Sequence, residues 1–126
     1  MIFLDRSIPR SVSDALKAVR NDVAWLEDLF PPDTPDTIWL ARAGDERWVV
    51  VSRDKRLRRR VAEIHAVREH NVGLFCLTQA GAWDRWSCLK LVVSTLDEML
   101  ALYESTPRPF IYTVDNRGTM TRLTAI

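Results

Sequence analysis

The feature that most constrains this chain is an alternation of short apolar runs with stretches of helical periodicity. Ile2 to Asp5 reads as a buried strand that an acid brings to an end. Pro9 then opens a helical stretch in which Val12, Ala15, Leu16 and Val19 share a face, with Arg20 placed for the dipole at its end. Asp22 to Leu26 reads as a second strand, closed by Glu27 and Asp28. A connection rich in Pro and Asp, Phe30 to Pro35, leads into a helix predicted over Asp36 to Ala43. There Thr34 is placed to cap, Pro35 to take the first helical position and Gly44 to stop the helix. Arg47 to Ser52, with Trp48-Val49-Val50-Val51 unbroken, is the strongest strand signal. A single helix is predicted from Lys55 to His70, with Leu57, Val61, Ile64 and Arg68 on one stripe, and Val72 to Leu77 reads as a fourth strand.

Strands alternating with helices imply right-handed crossovers and a largely parallel sheet, and unbroken apolar strands imply cover on both faces. The expected class is therefore α/β. The tail differs. Trp86, Leu89, Val93, Leu96, Leu100 and Tyr103 form the stripe of a long amphipathic helix, and Asp115-Asn116-Arg117-Gly118 is a turn between two short strands. That tail adds a covering helix and an edge hairpin, or serves as a partner surface. The expected organisation is one domain of 126 residues, with a core over about 2–78 and an extension over about 82–124.

The apolar share, 47%, excludes a disordered chain. No apolar stretch approaches the roughly 20 residues that span a bilayer, and the first residues lack a signal peptide's order, so a soluble cytoplasmic protein is expected. Cys76 and Cys88 make neither a disulfide framework nor a zinc knuckle. The tryptophans read as packing residues, and His65 and His70 as exposed polar groups of a helix. The net charge of +1 does not point to nucleic acid, yet its distribution is uneven. Arg53, Lys55, Arg56, Arg58, Arg59 and Arg60 surround the lone acid Asp54. Such a block is either a solvated face or a contact for phosphates.

Ligands of an open parallel sheet sit beyond the carboxyl ends of its strands, where the strand order reverses. With the order 2-1-3-4, Asp5, Asp36, Asp54, Glu27 and Asp28 all face one crevice. Two carboxylates about 5 Å apart repel by roughly 3 kcal/mol at an effective dielectric of 20. Three such pairs would cost on the order of 10 kcal/mol, as much as the stability of a domain. A divalent cation, or protonation, removes that cost. All-oxygen ligands select Mg²⁺ or Mn²⁺ over zinc, and a cation so held activates water and neutralises a phosphodiester. Each acid also has a plainer role: Asp36 in a helix dipole, Asp54 as a cap, Glu27 and Asp28 in a surface loop.

Three strings carry a resemblance: Phe3-Leu4-Asp5-Arg6-Ser7-Ile8-Pro9, then Asp33-Thr34-Pro35-Asp36 before Ile38-Trp39-Leu40, then Trp48-Val49-Val50-Val51-Ser52-Arg53-Asp54-Lys55. In order and spacing they resemble PIN-like domains, closest to the short PIN-like branch among VapC-type toxins of toxin–antitoxin modules. The resemblance covers about residues 2–78. It implies an α/β/α sandwich, a Mg²⁺- or Mn²⁺-dependent ribonuclease acting on RNA, a cognate antitoxin as partner, and allows a homodimer. The family's acids map onto Asp5, Asp36 and Asp54, and its supporting hydroxyl onto Ser52. One departure stands out: many PIN domains carry a further acid where this chain has Arg56, so Glu27 or Asp28 would serve as an extra ligand, or the site would hold fewer metals. Arg6 and the basic block would grip RNA. The competing readings are a catalytically silent PIN-like module that binds RNA or protein, and, more distantly, a receiver-like phosphoacceptor domain.

Overall fold

A computed structural model describes residues 1–78 and 83–124. The boundary expected between core and extension falls on 79–82, outside the described residues. Six strands form one sheet in the order β2-β1-β3-β4-β5-β6. They are β1 (Ile2–Leu4), β2 (Val23–Trp25), β3 (Val49–Ser52), β4 (Gly73–Leu77), β5 (Phe110–Val114) and β6 (Met120–Arg122). All neighbouring pairs are parallel except β5 with β6, which is antiparallel. The reversal of order that the acids require therefore lies between β1 and β3, which are neighbours in the interior of the sheet.

Strand residues alternate between two cores, as the two-residue period demands. Ile2, Leu4, Val49, Val51, Phe75 and Leu77 face one side, against Val12 and Leu16 of α1 (Arg10–Lys17) and the long helix α5 (Arg85–Ser105). Phe3, Val50, Leu74, Cys76 and Ile111 face the other, against α3 (Asp36–Asp45) and α4 (Val61–Glu69). The layers are thus α/β/α, as expected. Phe3 stacks on Trp48 at 5.1 Å between centroids and meets Trp39 at 5.3 Å. Trp25, Trp39 and Trp48 are buried packing residues, as expected, whereas Trp86 lies on the surface.

Several expected boundaries are corrected. Gly44 does not stop α3; it is buried within it, and a Cβ there would stand 2.0 Å from the His70 carbonyl oxygen. The glycine is there for close approach of α3 to the end of α4, and the chain reverses instead at Arg47, whose φ is 58°. Thr34 does not cap α3, because its hydroxyl donates to the Pro31 carbonyl at 2.8 Å. The first helix ends at Lys17, leaving Val19 exposed, and Arg20 turns to Asp22 rather than to the helix end. The second strand stops at Trp25, so Glu27 and Asp28 lie in a short helix, α2 (Leu26–Leu29), rather than ending the strand.

The basic stretch is also not one helix. A 3-10 turn covers Lys55–Arg58, Arg59 and Arg60 leave helical geometry, and α4 begins at Val61. Leu57, Ala66 and Val67 all enter the same core. In a continuous α-helix, nine residues amount to two and a half turns, which sets Leu57 opposite Ala66. The break restores both to one side and leaves Val61 exposed. In α5 the buried face is Cys88, Leu91, Val92, Thr95, Leu96 and Met99. Of the expected stripe, Leu96 is buried and Leu89, Leu100 and Tyr103 pack against the core that α5 faces, while Trp86 and Val93 stand in solvent. Small side chains fill the seam, and the Thr95 hydroxyl is satisfied by the Leu91 carbonyl at 2.7 Å. The two tail strands form the expected hairpin, with β5 paired to β4 and β6 at the sheet's edge.

Candidate active site

Asp5 follows β1 directly, and its amide donates to the Val51 carbonyl of β3 at 3.3 Å. The strand pairing thus carries its side chain to the carboxyl end of the sheet, where it is 2% exposed. Ser52 Oγ donates to Asp5 Oδ2 at 2.6 Å. Ser7 donates its hydroxyl to Oδ1 and its amide to the same oxygen at 3.2 Å. The Ser52 hydroxyl in turn accepts the Asp54 amide at 2.9 Å, and Ser7 Oγ accepts the Arg53 amide at 2.8 Å. Ser52 thus ties the end of β3 to the Asp5 carboxyl. Ser7 is the residue the sequence reading passed over; the signal was an Asp-x-Ser at a strand end, the pattern by which an Asp carboxylate turns back onto a nearby amide.

The two hydroxyls also approach each other, at 3.2 Å. Each owns one proton, so two serines cannot donate to both carboxylate oxygens and to one another. Protonation of Asp5 would supply the third donor. Burial pushes the Asp5 carboxyl up to about 6; the bonds from Ser52 and Ser7 oppose this, and the charges of Asp54 and Asp36 add to it. Asp5 follows β1, Asp54 lies two residues past β3, and Asp36 opens α3.

Asp54 caps the 3-10 turn, its Oδ1 accepting the Arg56 amide at 2.9 Å. The Arg56 guanidinium reaches both of its oxygens, Nε at 2.9 Å from each and Nη2 at 2.6 Å from Oδ2. Burial raises the Asp54 carboxyl, but the Arg56 contacts outweigh it and hold the group below its ordinary value. Asp36, at the first turn of α3, accepts the Trp39 indole N–H at 3.0 Å and stands 3.5 Å from Arg6 Nη1. Arg6 also donates to the Thr34 carbonyl at 2.7 Å, tying the end of β1 to the loop before α3. Trp39 packs in the aromatic core, so that core sets where Asp36 stands.

Asp28 is turned elsewhere: it bonds Lys17 of α1 and accepts the Trp25 amide at 2.8 Å. Glu27 is exposed on the same short helix. Among the basic residues, Arg53 is a strut, donating to the Ser7 carbonyl at 2.9 Å and the Trp83 carbonyl at 3.3 Å. Arg58 is half-buried, and Lys55, Arg59 and Arg60 are exposed. His65 pairs with Glu69 along the exposed side of α4, and His70 Nδ1 is 3.6 Å from Asp45. Cys76 lies buried in β4, its thiol pushed up by burial.

A model of the PIN-like domain family matches residues 1–79. The chain belongs to the PIN-like domain family. No curated protein and no solved structure matches it. In this PIN-like domain the donor set around Asp5 is all carboxylate and hydroxyl oxygen, the kind a hard divalent cation takes. Burial above all raises the Asp5 carboxyl, with a smaller share from the charges of Asp54 and Asp36. The set is not preassembled: among the described residues no three acidic, His or Cys side chains are grouped to hold an ion. Asp54 and Asp36 are each turned to an arginine instead. Among the described residues, no helix is long and apolar enough to cross a membrane.

Proposed function

We propose that this PIN-like domain is a Mg²⁺- or Mn²⁺-dependent endoribonuclease, a toxin of the VapC type working in the cytoplasm and held by a cognate antitoxin. The observation that supports the reading is the buried Asp5 carboxyl at the end of β1, held between Ser52 and Ser7, with Asp54 two residues past the neighbouring β3. The carboxylates of Asp5, Asp36 and Asp54 would hold the cation, which when bound supplies charge neutralisation at a scissile phosphate and a more acidic water. Ser52 and Ser7 fix the Asp5 carboxyl from both sides. Trp39 and Arg6 hold Asp36 at the start of α3. Lys55, Arg59 and Arg60, exposed beside Asp54, grip the flanking phosphates of RNA. Arg53 braces the loops around the site.

The test is cleavage of single-stranded RNA with Mn²⁺, with EDTA, and by Asp5→Asn and Asp54→Asn. Cleavage that needs Mn²⁺ and is lost in both variants is expected. RNA binding that ignores EDTA, without cleavage under any condition, would instead support a silent RNA- or protein-binding module. The arginines on Asp36 and Asp54 are what favour that second reading.

A further inference from the structure

Arg56 lies two residues after Asp54, at the exposed surface of the basic block. Its guanidinium covers both oxygens of Asp54 in a fork, at 2.6 to 2.9 Å, and its charge is felt by Asp36 as well. Asp54 is mostly shielded, its side chain 13% exposed, while the Arg56 side chain is 49% exposed. The arginine can therefore swing outward without disturbing either core. A cation binding to Asp54 needs the lone pairs that the guanidinium now uses. A phosphodiester offers Arg56 an equivalent planar pair of oxygens, because guanidinium binds carboxylate and phosphate in the same bidentate manner.

We infer that Arg56 is the resident counter-cation of the crevice, and that an RNA backbone draws it off Asp54, so that RNA and the divalent cation each tighten the binding of the other. The inference rests on the metal-dependent reading above. It gives the basic block a second task besides attraction. Lys55, Arg59 and Arg60 bring phosphates to the one residue whose release opens Asp54. Coupling of this kind is reciprocal by thermodynamic necessity. The protein alone would hold the cation weakly, and the complete site would form on substrate.

The experiment is calorimetric titration of Mn²⁺ into the full chain, with and without a 2′-O-methyl RNA decamer whose integrity is checked afterwards. Wild type alone should bind Mn²⁺ about tenfold more weakly than Arg56→Gln, and the decamer should remove about the same factor from wild type while leaving the variant unchanged. Arg56→Lys, which keeps the charge but loses the fork, should fall between the two and serves if Arg56→Gln fails to fold. Equal Mn²⁺ affinity in wild type and both variants would overturn the coupling while leaving a metal site in place. Absence of Mn²⁺ binding in every protein, with or without the decamer, would overturn the metal-dependent reading and this inference with it.

Discussion

Replacing Asp5 by Asn tests the electrostatics of the crevice without reference to catalysis. The Asp5 carboxyl is displaced from 3.8 to about 6 by burial and by two neighbouring acids. Between those values the folded protein keeps a proton that the unfolded chain has released. Stability from this group therefore falls as pH climbs through that window, and stays low above it. At neutral pH the ionised Asp5 costs about 3 kcal/mol relative to its protonated form. Asn is neutral throughout, and its amide N–H supplies the third donor that the Ser7–Ser52 pair lacks. Allowing about 1 kcal/mol for imperfect hydrogen bonding, the variant should be more stable by about 2 kcal/mol above pH 7. That corresponds to a melting temperature higher by about 6–10 °C for a domain of this size. Circular dichroism melts of both proteins in EDTA, at about pH 4 and about pH 7.5, read this directly, because the gain should vanish at the lower value. A variant that melts below wild type at the higher pH, or a difference that does not change with pH, would refute the assignment of Asp5 as a buried, electrostatically strained carboxyl.

Other outcomes follow from the same geometry. Gly44→Ala would force a methyl onto the His70 carbonyl oxygen and should lower stability by about 2–3 kcal/mol in urea denaturation. Asp36→Ala strips the Trp39 indole and Arg6 of their acceptor, and should cost about 1–3 kcal/mol with a shift in Trp39 fluorescence. The triple change Lys55→Glu, Arg59→Glu and Arg60→Glu should weaken RNA binding and reduce the slope of log affinity against log salt by about two. The same change at Arg53 should lower the melting temperature instead, since its side chain ties two loops together.

The sequence made the sheet legible because Val49–Val51 and Leu74–Leu77 are unbroken apolar runs, and such runs declare a strand covered on both faces. Asp5 and Asp54 were legible for the same reason, each an acid just beyond such a run. What periodicity could not resolve was direction within helices whose faces are set by small residues. In α5 Leu96 was legible as core, whereas Trp86 and Val93 lie in solvent and Cys88 and Thr95 take buried places. Gly44 has the appearance of a terminator until the approach of His70 is known, a fact that only tertiary structure holds. The break at Arg59 and Arg60 arises because Leu57 and Ala66 must both reach one core, which local spacing does not reveal. Ser7 escaped notice since a serine after an acid is common, and its contact with Ser52 spans 45 residues.

The family match ends at residue 79, yet the sheet does not. All five residues of β4, Gly73–Leu77, are buried, and their outer rim is paired with β5, which comes from beyond the matched segment. A chain trimmed to the shared segment would retain every aspartate of the crevice and bare an uncharged, greasy ladder of five residues to its neighbours. Inclusion bodies, rather than a smaller working unit, are the expected product of such trimming. The C-terminal hairpin covers the β4 edge of the acid-bearing half.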